Sequence, residues 1–218
     1  MKNLQKMGGI AALFEAAALV AGMVFYLLVV DYVSIVDPVQ KVALLVDNTV
    51  AMYISNQLIY VVFGIILVVL ALALYDRLKA SSPAMVKTAT VFGLFWAVLL
   101  IGAGMVFTIG MGTVIDLYGT DPAQAAMVWL AIESVHQGLG GANEIVGGLW
   151  VLLISWASLR GGGLPRALNY LGVVIGVGGL LMFVPALGDL GPIFGLGIIV
   201  WFVWLGIVML RSSPSAAA

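Results

Sequence analysis

Four ionisable side chains lie inside long apolar stretches of this chain: Glu15, Glu133, Glu144 and the single histidine, His136. An ionisable group near the centre of a membrane-type helix costs about 2.5 to 3.5 kcal/mol on insertion scales, so it usually faces a cavity or a partner. Carboxylates and an imidazole can bind polar ligands, carry protons or act as acid and base. These residues are therefore the first candidates for a functional site.

A polar stripe is predicted on one helix between residues 133 and 144. Its members are spaced by four, three and four residues, as on one helical face: Glu133, Gln137, Gly140 and Glu144, flanked by His136 and Asn143. Counting about 20 residues outward from Trp156 places Glu133 at the outer membrane boundary and Glu144 deeper, if the helix is straight. Asn56 and Gln57, at the outer end of another helix, are expected to complete an outward-open pocket.

Glu15 belongs to a different stripe, one of small residues spaced by three and four: Gly8, Ala11, Glu15, Ala18 and Gly22. Small residues at this spacing predict close packing of another helix. A buried carboxyl without a cationic partner is expected to stay protonated. Glu15 is then either a hydrogen-bonding link between helices or a proton carrier.

The sequence predicts no catalytic residue, no metal site and no cofactor. Glu133-x-x-His136 resembles half of a di-iron site, but that site needs a second such pair and the chain has one histidine. Cysteine is absent, which excludes disulfides and thiolate chemistry. The serines have no recognisable catalytic motif around them.

Structural roles for the same residues remain open. Glu133 and His136 are also expected at a solvated outer helix end, because the apolar span begins below them. Asn143 and Glu144 are equally typical of hydrogen bonding between membrane helices.

Composition identifies the elements that must position these residues. The chain is 63% hydrophobic and 9% charged, against roughly 25% charged residues in soluble domains. We predict an all-α polytopic membrane protein with six transmembrane helices in a single domain, residues 1–211, and a disordered tail at 212–218. The predicted spans are about 8–30, 51–75, 88–111, 128–157, 168–187 and 192–210.

Charge patterning predicts the orientation of these spans. Eight of the nine Lys and Arg residues lie in four short segments at every second gap between apolar stretches. The alternate gaps carry six aspartates and one basic residue, Lys41. Because positively charged loops stay cytoplasmic, both termini are predicted to be cytoplasmic.

Two local signals refine the helices. Thr120-Asp121-Pro122 predicts an early start for the fourth helix, which would then be too long for the bilayer and must protrude or break, most readily at Gly138, Gly140 and Gly141. The apolar segment 39–46 in the first outer loop predicts a short helix lying in the interface.

Three segments resemble bacterial membrane proteins catalogued as domain of unknown function 4386. They are Leu74-Tyr75-Asp76-Arg77-Leu78-Lys79, the glycine-rich stretch from His136 to Trp150, and Gly162-Gly163-Leu164-Pro165-Arg166-Ala167-Leu168-Asn169-Tyr170-Leu171-Gly172. The resemblance covers about residues 56–211 and leaves Glu15 outside. It implies a six-span fold in the bacterial inner membrane and no particular activity.

The residues favour a protein that binds, senses or transports a small polar molecule, a cation or a lipid headgroup. An intramembrane enzyme acting on a lipid or isoprenoid, with His136 as general base, is the second hypothesis. The third is a structural subunit. Expected partners are membrane lipids, a small-molecule or lipid ligand, and a homo-oligomer or membrane-protein partner at the glycine-rich helix faces. The scattered basic residues predict no nucleic-acid partner.

Overall fold

The computed structural model describes residues 2–141, 144–184, 186–187 and 191–211, and these are helical almost throughout, without strands. The α-helices are α1 Lys2–Val24, α2 Pro38–Asp47, α3 Thr49–Asn56, α4 Phe63–Leu78, α5 Pro83–Tyr118, α6 Pro122–His136, α7 Ile145–Gly161, α8 Arg166–Leu181 and α9 Gly191–Arg211. The predicted tail at 212–218 lies outside the described residues.

Within the described part of the chain, five helical segments are long and apolar enough to cross a membrane: Asn3–Val29, Thr49–Leu78, Pro83–Tyr118, Pro122–Gly161 and Phe194–Arg211. The protein is a multi-pass membrane protein. Helix α8 is apolar but has only 16 residues. It ends at Leu181 rather than at the predicted Leu187, and the two following turns close through tighter i to i+3 bonds at Phe183 and Val184. The count of six spans and the side of both termini stay predictions.

Capping aspartates set the start of two helices, and the sequence predicts one of them, at Asp121. The carboxylate of Asp121 accepts a hydrogen bond from Gln124 N, and Pro122 occupies the first turn of α6. The short helix expected at 39–46 is α2, where the carboxylate of Asp37 accepts from Val39 N and Gln40 N. Each carboxylate satisfies backbone N–H groups that have no partner inside the helix.

The predicted break of the fourth helix is confirmed. After His136 the helix is kinked over Gln137–Gly141, where Gly140 has φ of 158° and ψ of 7°, which is not helical. Helix α7 begins only at Ile145. The face predicted to run straight from Glu133 to Glu144 is therefore interrupted, because a side chain beyond the break no longer follows the same helical period.

The chain forms two compact units. Unit 1 comprises Met1–Ala17, Gly64–Val98 and Asn143–Ala218, and unit 2 comprises Ala18–Phe63 and Leu99–Ala142. The predicted single domain stays a prediction.

Unit 1 is packed through glycines and aromatic rings. A Cβ on Gly148 of α7 would lie 3.0 Å from both Gly176 O and Gly179 Cα of α8, so glycine permits the close approach of these helices. The rings of Trp96 and Phe202 stack with centroids 6.5 Å apart.

A serine hydroxyl stabilises the loop between α7 and α8, which carries the family-like motif. In unit 1, the Ser158 hydroxyl donates to Gly162 O and accepts from Leu164 N and Asn169 Nδ2, each at 3.0 to 3.2 Å. This network accounts for the placement of serine and asparagine around Gly162-Gly163-Leu164.

Unit 2 has its own apolar core, in which α2 packs against α6. Its largest buried side chains include Trp129, Met111, Met52 and Leu45. Phe107 contacts Trp129 edge to face with ring centroids 5.1 Å apart. This packing holds the loop helix α2 on the helix that carries Glu133.

Candidate functional site

A cavity of about 500 Å³ lies within unit 2. Three tyrosines contribute to its wall, Tyr26, Tyr32 and Tyr60, and we call it the tyrosine-lined cavity. Aliphatic side chains, among them Leu19 and Met23, form much of the remaining wall. Its size and mixed lining match those of small-molecule sites, which range over about 300 to 1,000 Å³.

Irregular backbone surrounds this cavity. Two π-helical segments, Phe25–Val29 and Gln57–Val62, and the kinked segment Gln137–Gly141 occur among the described residues. Each supplies the cavity with at least one side chain, namely Tyr26, Tyr60 and Gln137. Insertions of this kind in α-helices are frequent at functional sites.

A partly buried ion pair forms the charged part of the wall. Lys41 Nζ of α2 lies 2.9 Å from Glu133 Oε1 and 3.1 Å from Oε2. The side chains are 18% and 10% exposed, respectively. Because both charges are largely removed from water, each depends on the other for stabilisation.

Tyr32 completes this arrangement, and we call Tyr32, Lys41 and Glu133 the polar cluster. Its hydroxyl donates to Glu133 Oε1 at 2.8 Å and accepts from Trp129 Nε1 at 2.9 Å. Burial and the neighbouring Glu133 carboxylate raise the pKa of Tyr32 above the ordinary tyrosine value of 10.0. Tyr32 is therefore a neutral donor at physiological pH, and its two bonds fix the orientation of the carboxylate.

His136 lies one helical turn beyond Glu133. Its Nδ1 is 3.0 Å from the carbonyl oxygen of Ala103, which can only accept, so Nδ1 carries the hydrogen. In the neutral ring Nε2 is then an acceptor. The rings of Tyr60 and Phe107 contact the imidazole edge to face, with centroids 4.7 and 5.1 Å away. The imidazole is thus held rigidly in the cavity wall.

The polar groups of the cavity suit hydrogen bonding and charge pairing. No group of three or more His, Cys, Asp or Glu residues in the described ranges could hold a metal ion. The cavity offers an ammonium, a carboxylate, an imidazole nitrogen and the amide of Gln137. These groups can orient the polar part of a ligand, while the apolar wall accepts the rest.

Three residues proposed from the sequence meet in the cavity: Glu133, His136 and Gln137. The amides of Asn56 and Gln57 instead hydrogen-bond Thr108 Oγ1 of α5, at 2.8 and 3.0 Å, and do not line it.

Of the remaining candidate residues, those that the structure describes do not line the tyrosine-lined cavity. Glu15, in unit 1, is fully buried, and both carboxyl oxygens lack a hydrogen-bond partner among the residues that the structure describes. The small-residue stripe around it packs closely as predicted, since a Cβ on Gly8 would lie 2.4 Å from that of Ala73. Glu144, also in unit 1, is half-buried, and Asn143 lies outside the described residues.

Sequence reasoning missed two members of the polar cluster. Tyr32 and Lys41 are separated from Glu133 by 101 and 92 positions, and no short motif links them. One signal was present: Lys41 is the only cation in the acidic loops, and a lone cation near membrane carboxylates is a natural partner for one of them.

The chain has no match among curated proteins or solved structures. A family model, Domain of unknown function (DUF4386), matches residues 10–212. The match includes Glu15, which the resemblance from sequence motifs left outside. Because it spans nearly the whole chain, the protein belongs to the DUF4386 family.

Proposed function

We propose that this protein binds a small molecule with a polar head and an apolar body in the tyrosine-lined cavity. The observation that carries the proposal is the partly buried Lys41–Glu133 pair, whose side chains are 18% and 10% exposed, in the wall of a cavity of about 500 Å³. Isolating an ion pair from water is costly, and apolar residues of similar volume are often as stabilising or more so. A charged pair kept at a cavity wall therefore favours a role in ligand recognition.

The polar head would contact the polar cluster and His136, where donors and acceptors lie side by side. Glu133 Oε2 accepts a hydrogen bond from Lys41 Nζ and retains further acceptor capacity. His136 Nε2 is a further acceptor, and the exposed amide of Gln137 can both donate and accept. The aliphatic and aromatic wall would take the apolar body of the ligand.

We also propose that the cavity faces the outside of a bacterial inner membrane, with both termini cytoplasmic. The support is the basic character of every second inter-helix gap. The chain has no cysteine, so single-cysteine variants can be labelled without background. In intact cells an impermeant maleimide should label Thr120→Cys and spare Ser82→Cys. The reverse pattern would refute the orientation.

Native mass spectrometry of the gently solubilised protein tests the binding proposal. We expect a co-purified molecule that is retained by Ser134→Ala and lost from Glu133→Gln and His136→Ala. Ser134 is the matched control because it is exposed, neighbours Glu133 and bonds only its own helix, at Leu130 O.

Equal retention by all four proteins would place any bound molecule outside the cavity. A bare wild-type protein that also gains no mass when incubated with a mixed lipid and metabolite extract would contradict the proposal and favour a structural role.

A further inference from the structure

Lys41 Nζ has the surroundings of a bound organic cation. It contacts both oxygens of the Glu133 carboxylate and lies 5.0 Å from the centroid of the Tyr32 ring. A carboxylate combined with aromatic faces is the usual recognition chemistry for ammonium ligands, since the ring face carries negative potential. The chain therefore places its own ammonium group in an ammonium site.

The cavity continues this chemistry beyond Lys41. The rings of Tyr26, Tyr60 and Phe107 line the same space as the Glu133 carboxylate. Aliphatic side chains complete the wall, so an alkyl or aryl group attached to an ammonium would lie against apolar surface.

From this we infer that the ligand of the cavity is an organic ammonium ion that binds Glu133 in place of Lys41, and that Lys41 is a built-in competitor. The inference rests on the proposed binding function and names its ligand class. Exchange of one ammonium for another leaves the carboxylate paired. An anionic ligand would instead meet the Glu133 carboxylate.

Lys41 is suited to leave the site. Its side chain is already 18% exposed, and a lysine can extend its four-carbon stem until the ammonium reaches water. Glu133 cannot move as freely, because its carboxylate also accepts a hydrogen bond from the Tyr32 hydroxyl. That hydroxyl in turn accepts a hydrogen bond from Trp129 Nε1. The anion is fixed and its cation is exchangeable.

Chemical rescue of a truncated lysine tests the inference. Lys41→Ala removes three side-chain carbons and the ammonium group. n-Butylammonium supplies these atoms and one further carbon, so this amine should raise the melting temperature of the purified variant. Half-saturation is expected at a concentration about tenfold below that for wild type, where Lys41 competes. Each further methylene of the amine should lower the half-saturation concentration about fourfold. n-Butanol and butyrate should give no shift.

Two variants serve as controls. Lys79→Ala removes a lysine that likewise pairs with a carboxylate, Asp76, and lies 5.9 Å from the ring of Tyr75, but at an exposed position. It should gain no response to the amine. Adding Glu133→Gln to Lys41→Ala should abolish the rescue. An equal response to n-butanol, or a rescue that survives Glu133→Gln, overturns the inference.

A second measurement needs no substitution, and it tests the displacement of Lys41 even if Lys41→Ala does not fold. N,N-dimethylbutylammonium carries an N–H but forms no stable amide. In wild-type protein it should increase acylation of Lys41 relative to Lys79, because displaced Lys41 reaches water. Unchanged or decreased acylation of Lys41 overturns the inference.

The binding function and the ammonium class of the ligand can be refuted independently. A neutral or anionic molecule released by Glu133→Gln in native mass spectrometry would keep the binding function and refute the ammonium class. A bare protein that responds to no amine would refute both.

Discussion

The energetic coupling between Lys41 and Glu133 is the most direct test of the polar cluster. Lys41→Met keeps the apolar stem and removes the charge, which leaves the Glu133 carboxylate buried with the single donor Tyr32. Removing one partner of a buried pair costs about 3 to 5 kcal/mol. Because the two side chains are 18% and 10% exposed, water compensates in part, and we expect about 3 kcal/mol, the lower end of that range.

Glu133→Gln should cost less, about 1 to 2 kcal/mol, because Lys41 can extend to water and the amide oxygen still accepts from Tyr32. The double variant contains no buried charge. Its loss of stability should lie within about 1 kcal/mol of that of Glu133→Gln alone, which gives a coupling energy of about 2 to 4 kcal/mol.

The assay is reversible unfolding of the four purified proteins in mixed micelles with increasing sodium dodecyl sulfate. The exposed Asp76–Lys79 pair provides a parallel cycle that should show much weaker coupling, since solvent screens it. Single-variant effects at Lys41 and Glu133 that add to within about 0.5 kcal/mol would refute the idea that the pair is energetically buried.

Three further outcomes can be checked by the same unfolding assay. Gly140→Ala should destabilise by about 1 to 3 kcal/mol because φ is 158°, whereas Gly138→Ala, whose Cβ meets nothing within 4 Å, should be near neutral; equal losses would contradict this. Because the pKa of Tyr32 is raised in the folded protein, the Tyr32 hydroxyl contributes fully to folding stability below pH 10. Above pH 10 this contribution is lost progressively, since the tyrosine ionises in the unfolded chain before it ionises in the folded protein. Wild type should therefore lose stability more steeply than Tyr32→Phe above pH 10, and parallel curves would exclude that role. Glu15→Leu should stabilise by about 1 to 3 kcal/mol because it removes a buried carboxyl without a hydrogen-bond partner among the described residues; a destabilised variant would show that the carboxyl is satisfied.

Local signals predicted helix boundaries well because they act over a few residues. The capping carboxylate of Asp121, the proline after it and the glycines near 140 each determine backbone geometry at their own position. The same reasoning overestimated α8, which ends at Leu181. Apolar composition continues to Leu187, and hydrophobicity alone does not report where a helix stops.

The candidate site was predictable only on one helix. Glu133 and His136 were conspicuous because ionisable residues are rare in apolar stretches, and Gln137 followed from helical spacing. Tyr32 and Lys41 reach the site through tertiary packing of a loop helix, which periodicity does not encode. Glu144 was assigned to the same face on the assumption of a straight helix, and the break at Gly140 removes that assumption.

The departures from helical regularity coincide with the candidate site. A π-helical turn weakens backbone geometry and gains little in a helix that only spans a bilayer. Yet the π turns around Tyr26 and Tyr60 and the kink after His136, which carries Gln137, each bring a side chain to one cavity. Where several departures from regular helix geometry occur at one place, a functional requirement is the usual reason that the sequence keeps these unfavourable features. The ion pair Lys41–Glu133 is a second feature at that place that packing alone would not favour. The coincidence of these two independent costs at one cavity is the strongest structural support for our proposal that the ligand site lies in unit 2.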